Sequence, residues 1–221
     1  MKRTLLLLAA LLAHAGAWAA TTYQFTSAPY KTPMFNHTDA CANGTCADFT
    51  TAMVQSGSFT LNTPLGPNLT GADVSSDMTA YSFSDGATAP LVSTSPHVRL
   101  MRALISTDAA GNITASDIIV IRWQTANHGV GGRLEHLIVG GSSTVNAICA
   151  TVSSPGMCTQ VNGDASTSQA ALVSGGPGWV LMPTAGGATP VPVDNPFALL
   201  LTGAGLLGIA LRGRRELLLK R

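Results

Sequence analysis

The chain has 221 residues, of which 46% are hydrophobic and 10% charged, with a formal net charge of +1 when histidine is neutral. That near-neutrality is a cancellation. Residues 20–183 carry five basic side chains (Lys31, Arg99, Arg102, Arg122, Arg133) against nine acidic ones, a net of −4, between basic ends. With no basic patch in this middle stretch, neither a nucleic-acid partner nor an anionic membrane surface is expected.

Lys2-Arg3, an apolar run from Leu5 to Leu12 and the small-x-small triplet Ala17-Trp18-Ala19 form the three regions of a secretory signal peptide, placed at residues 1–19. Cleavage is expected after Ala19, with Ala20 as the alternative. As a permanent span the apolar core is too short.

Residues 20–183 then read as one all-β ectodomain. Thr21 to Ser27 alternates, with Tyr23 and Phe25 on one face and Gln24 and Thr26 on the other. Ala28 to Thr45 reads as loop, being rich in Pro, Asn and Gly. A strand signal runs from Phe49 to Leu61 and is broken by Pro64, Gly66 and Pro67. Leu69 to Met78 is predicted to hold a short helical turn, with Thr70 as N-cap and Asp73 three residues on. Thr79 to Ser84 is a strand, and Asp85-Gly86 a turn. His97 to Thr107 and Ile113 to Thr125 read as long strands joined by a hairpin at Asp108–Asn112, with Gly111 in the left-handed conformation. Ile118 to Trp123 is apolar enough for the centre of a sheet. A Gly-rich connection, 127–132, leads to a strand at Arg133 to Val139, and Thr144 to Val152, Ala170 to Val173 and Gly178 to Met182 supply the rest. Short strands separated by turn signals predict a sandwich or jelly-roll-like fold.

Four cysteines, Cys41, Cys46, Cys149 and Cys158, form an even set in a chain read as exported, which points to disulfides. The local bridges Cys41–Cys46 and Cys149–Cys158 are the simplest of three pairings, each worth about 2–3 kcal/mol at best. Neither pair has C-x-x-C spacing and no histidine is read beside either, so a thiolate metal site is not expected.

Residues 184–195 are linker and motif, and residues 196–221 an apolar helix with a basic tail. Phe197 to Leu211 carries no charge; at 1.5 Å per residue it would be roughly 22 Å long, against a hydrocarbon core of about 30 Å. Pro196 suits the first helical turn. Arg212, Arg214 and Arg215 follow, where the positive-inside rule holds them in the cytoplasm.

The order Val191-Pro192, Asn195-Pro196-Phe197, apolar run and arginines resembles the C-terminal sorting signals of the PEP-CTERM class and its IPTL-CTERM relative. Val191-Pro192 stands for the Ile-Pro start of the IPTL form, Phe197 for its aromatic, and Arg212, Arg214 and Arg215 for its basic cluster. Val193-Asp194 departs from Thr-Leu, and the Glu-Pro of the PEP form is absent. The resemblance implies an exosortase-type sorting enzyme and the export machinery as partners, a transient inner-membrane intermediate, and a final place at the cell surface or outside the cell.

Within the ectodomain no catalytic set can be assigned, and no cofactor or metal is expected. His128, His136 and Glu135 flank one turn and admit a metal site, although a loop His and a strand His with unrelated partners explain them as well. Asp85-Gly86 and Asp108…Asn112 are turn chemistry rather than calcium loops. No Gly-x-Ser-x-Gly elbow is present. Tyr23, Tyr30, Tyr81, Trp123 and Trp179 are either core or a sugar-stacking face. The expected function is therefore an exported, non-catalytic surface or matrix protein. A carbohydrate-binding or adhesive module, with extracellular polysaccharide as partner, and a secreted hydrolase are the alternatives.

Overall fold

The computed structural model describes residues 20–41, 43–140, 143–153, 156–172 and 178–182. The chain divides into two units, Met1–Thr184 and Ala185–Arg221, and every described residue belongs to the first. Among the described residues no helix is long and apolar enough to cross a membrane. The signal segment at 1–19, including Ala17 and Ala19, lies outside the described residues. So do the linker and the tail motif, with Val191, Pro192, Asn195, Pro196, Phe197, Arg212, Arg214 and Arg215.

The described residues are all-β. The strands are β1 (Thr21–Phe35), β2 (Val54–Leu61), β3 (Ala72–Asp73), β4 (Met78–Ser84), β5 (Leu91–Val92) and β6 (Val98–Thr107). They continue with β7 (Ile113–Trp123), β8 (Arg133–Val139), β9 (Ser143–Ser153), β10 (Met157–Val161), β11 (Ser168–Leu172) and β12 (Trp179–Met182). All pair antiparallel, in the order β3-β6-β7-β8-β9-β11-β1-β2-β4-β5, with β10 on β9 and β12 on β1. One strand therefore joins two limbs. The first half of β1 pairs with β2 and β12, and its second half with β11.

The limbs meet through the alternation of their side chains. Tyr23 and Phe25 of β1, Phe59 and Leu61 of β2 and Phe83 of β4 pack with Val98, Ala103 and Ile105 of β6, Ile118 and Val120 of β7 and Leu137 and Val139 of β8. Trp179 of β12 closes this cluster, with its ring 5.0 Å from Phe25 and 5.1 Å from Phe59. Tyr30 packs with Phe49 in a second cluster. Trp123 lies in a third, on the other face of β7, with Ile121, Leu134, Cys149 and Cys158.

Three expectations are corrected. The stretch from Ala28 is not loop: β1 runs on to Phe35. The helical turn predicted for Leu69 to Met78 is confined to residues 74–78, where the Asp77 and Met78 N–H groups donate to the Val74 carbonyl at 3.0 and 3.2 Å, with Asp73 in the capping place predicted for Thr70. Ala72 and Asp73 pair with β6, and Asp73 Oδ1 accepts the Ser75 N–H at 2.9 Å, the same kind of bond an N-cap makes. The second strand begins at Val54 rather than Phe49. The short strands β3, β5 and β10 had no readable alternation.

Candidate functional site

The site follows from the inner face of β8. Val139 and Leu137 face the apolar core, and the same alternation puts Glu135 and Arg133 on that face further along the strand. Both charged residues are fully buried. Arg122 stands opposite Glu135 across β7 and β8, and Asn146 opposite it on β9. The core thus turns from apolar to ionic along the strands.

Every carboxylate oxygen of Glu135 is satisfied. Arg122 Nε donates to Oε2 at 2.9 Å; Gln124 Nε2 and Asn146 Nδ2 donate to Oε1 at 2.5 and 3.3 Å. Arg133 Nη1 donates to Asn146 Oδ1 and to the Ser166 carbonyl, and its Nη2 to Ser166 Oγ at 2.7 Å. Ser166 Oγ passes a hydrogen bond on to Asp164 at 2.7 Å. Burial draws the Arg133 guanidinium below its usual value, with Asp164 and Glu135 opposing that shift. Hydrogen bonding from Ser166 holds the Asp164 carboxyl low. Charges taken from water cost several kcal/mol each unless so paired.

A cavity of about 510 Å³ opens beside this network, walled in part by Arg122, Gln124, Glu135, His97, Thr88 and Cys46. Such a volume falls within the range of small-molecule sites. Arg122 Nη1 donates to the Ala89 carbonyl at 2.6 Å, and its Nη2 has no hydrogen-bond partner among the described residues. The wall at 85–89 is set by Asp85, whose Oδ1 accepts the N–H groups of Ala87 and Thr88. Behind the wall residues His97 and Trp123 lies His128: His97 Nδ1 and His128 Nε2 are 3.3 Å apart, and His128 stacks on Trp123 with centroids 5.5 Å apart. Burial, then Arg99 and His97, draws the His128 pKa below 6.5.

His128, Glu135 and His136 are not brought together. His128 meets His97, while His136 sits on the opposite face of β8 from Glu135, across from Ile121. Burial draws the His136 pKa below the ordinary 6.5; a backbone hydrogen bond opposes the shift and Arg102 adds to it. The unfolded chain therefore binds a proton near pH 6.5 that the folded chain takes up only at lower pH. Stability is expected to fall as pH drops below about 6.5, and not above it. Urea midpoints measured between pH 7.5 and 5 check this, and His136→Gln should flatten the decline.

The aromatic residues do not form a stacking face. Tyr23, Tyr30 and Trp123 are buried, and Trp179 and Tyr81 pack against Phe83. The cysteines stand as two pairs at bonding distance, Cys41–Cys46 and Cys149–Cys158. His37 lies beside the first pair, where the sequence reading placed no histidine. The ionic network was also missed, although its signal was present: Arg122, Arg133 and Glu135 recur in phase with the buried positions of two very apolar strands. Compared with protein-family models, curated proteins and solved structures, the chain finds no match.

Proposed function

We propose that this chain is an exported bacterial surface or extracellular-matrix protein without catalytic activity, its β-ectodomain a sandwich or jelly-roll-like unit. A signal peptide leads it out, the helix at 196–221 holds it in the inner membrane, and an exosortase-type enzyme releases or transfers it. One observation carries the reading. A signal-peptide layout and an apolar-then-basic tail enclose a domain whose four cysteines stand in bonded pairs, as an oxidising compartment favours. The one imidazole among the described cavity walls, His97, bonds a second imidazole, His128, rather than a hydroxyl, which supports a binding or structural role over the hydrolase.

The intact mass of the exported protein tests this. A C-terminus near Val191 is the expected result, and retention of Arg221 would overturn the processing step.

A second reading, a module that binds extracellular polysaccharide, draws support from Arg122, held by two bonds with Nη2 left over at the cavity. Retention on immobilised polysaccharide, lost in Arg122→Gln while unfolding is unchanged, is its test.

A further inference from the structure

We infer that His37, Cys41 and Cys46 form a redox-gated site for a thiophilic divalent cation, zinc by chemical class: one ligand atom of each lies within 4.8 Å of the others, on a loop held without the disulfide. Closed as a disulfide the pair binds no metal. Opened, it offers two thiolates and an imidazole, with water completing the tetrahedron. This is independent of how the tail is processed.

The ligand set is preorganised. The Asp48 carboxylate lies 2.9 Å from His37 Nδ1 without making a hydrogen bond to it, which leaves this buried imidazole nitrogen without a hydrogen-bond partner among the described residues. The Cys46 N–H points at Cys41 Sγ at 2.9 Å, a donor that stabilises a thiolate there. Breaking the S–S bond lets the sulfurs part to the roughly 3.8 Å that two Zn–S bonds of about 2.3 Å require.

Hydrogen bonds that do not involve sulfur fix the loop. Asn36 Nδ2 donates to the Phe49 carbonyl at 3.0 Å, and the Phe49 N–H to Asn36 Oδ1 at 2.8 Å. The Thr45 N–H and carbonyl are both held by Gln124, at 2.7 and 2.8 Å. Asn43 Nδ2 reaches the Gly131 carbonyl at 3.2 Å, and the His37 N–H donates to Ser168 Oγ at 3.0 Å. The loop therefore keeps its place when the bridge opens. Cys46 also lines the open cavity, so reductant and ion can reach it. Cys149 and Cys158 differ: both are buried among Ile121, Trp123 and Leu134. Among the described residues, theirs is not a ligand cluster, whereas the first pair with His37 is.

The chemistry balances with named co-reactants. A dithiol gives two electrons and two protons to the Cys41–Cys46 bond and becomes a disulfide; zinc then displaces both thiol protons. In reverse, peroxide takes two electrons from the thiolates, the bridge closes, zinc is freed, and with two protons from solvent peroxide leaves as two waters.

The test uses the full chain in detergent, reduced without denaturant, with Co²⁺ as an optical probe. The expected result is two alkylatable thiols at Cys41 and Cys46, one Co²⁺ per chain, and sulfur-to-cobalt absorption that zinc displaces and peroxide bleaches. Cys46→Ser should abolish the signal, and His37→Ala should weaken binding at least about tenfold. Four outcomes overturn the proposal: a reduced, folded chain that takes no Co²⁺, an unchanged affinity in His37→Ala, Cys149–Cys158 opening first, or loss of the far-ultraviolet signal when only Cys41–Cys46 is reduced.

Discussion

Glu135→Ala is expected to cost about 3–5 kcal/mol of stability, the size found when one partner of a buried ion pair is removed. In a domain of this length that is a drop of roughly 6–20 °C in melting temperature. The residue is fully buried, and its carboxylate accepts from Arg122, Gln124 and Asn146. Removing it leaves Arg122 facing an empty space and strips Arg133 of one of the two carboxylates that hold its charge. Urea unfolding followed by tryptophan fluorescence measures the cost, since Trp123 adjoins the network on the neighbouring strand.

The sign of the pair's own contribution is a separate matter. Desolvation and attraction nearly cancel in buried ion pairs, so a double variant with apolar residues of similar volume can be close to neutral. Glu135→Leu combined with Arg122→Met should accordingly cost far less than the two single changes added together. That result would show that the network serves the cavity rather than the fold's stability. If Glu135→Ala alone costs under about 1 kcal/mol, well short of a buried ion-pair loss, solvent reaches the carboxylate and the cavity is deeper than described.

Much of the sheet was legible because its strands alternate. The strand Arg133–Val139 could be read from its residues alone, as could the hairpin at 108–112, where Gly111 has φ 83°. The second half of β1 was not legible, since Pro29 and Pro33 look like loop. From Tyr30 on, however, it pairs among the described residues with β11 alone, and on that open side Pro33, which has no N–H, is tolerated. That one misreading hid His37. Only when β1 runs on to Phe35 does the following turn carry the imidazole to Cys41 and Cys46. The helical turn was placed too early for a different reason: Ala72 and Asp73 pair with β6, so the turn starts only at Val74, and Asp73 rather than Thr70 bonds the backbone two residues on. The cavity was unreadable because its walls come from β7, β8, the loop before β2 and the turn after β4, which only the fold brings together.

Trp179→Ala is expected to cost about 3 kcal/mol, the low end for a buried aromatic because the ring is only partly covered. Its effect should be local before it is global. β12 has four residues and pairs, among the described residues, with β1 alone, and beyond Trp179 its side chains Val180, Leu181 and Met182 are 61%, 55% and 41% exposed. The strand is therefore held by its ladder and by this one ring, which touches Phe25, Phe59 and Phe83 and donates from Nε1 to Ser116 Oγ at 3.1 Å. Without the ring, residues 179–182 should exchange their amide hydrogens through local opening, well before β7 and β8 do. Ser116→Ala should cost only about 1 kcal/mol, the net worth of one hydrogen bond. Trp179→Ala also separates the two meanings of this aromatic residue. A ring that closes the core changes unfolding and exchange together, whereas a stacking platform would change ligand binding and leave both untouched.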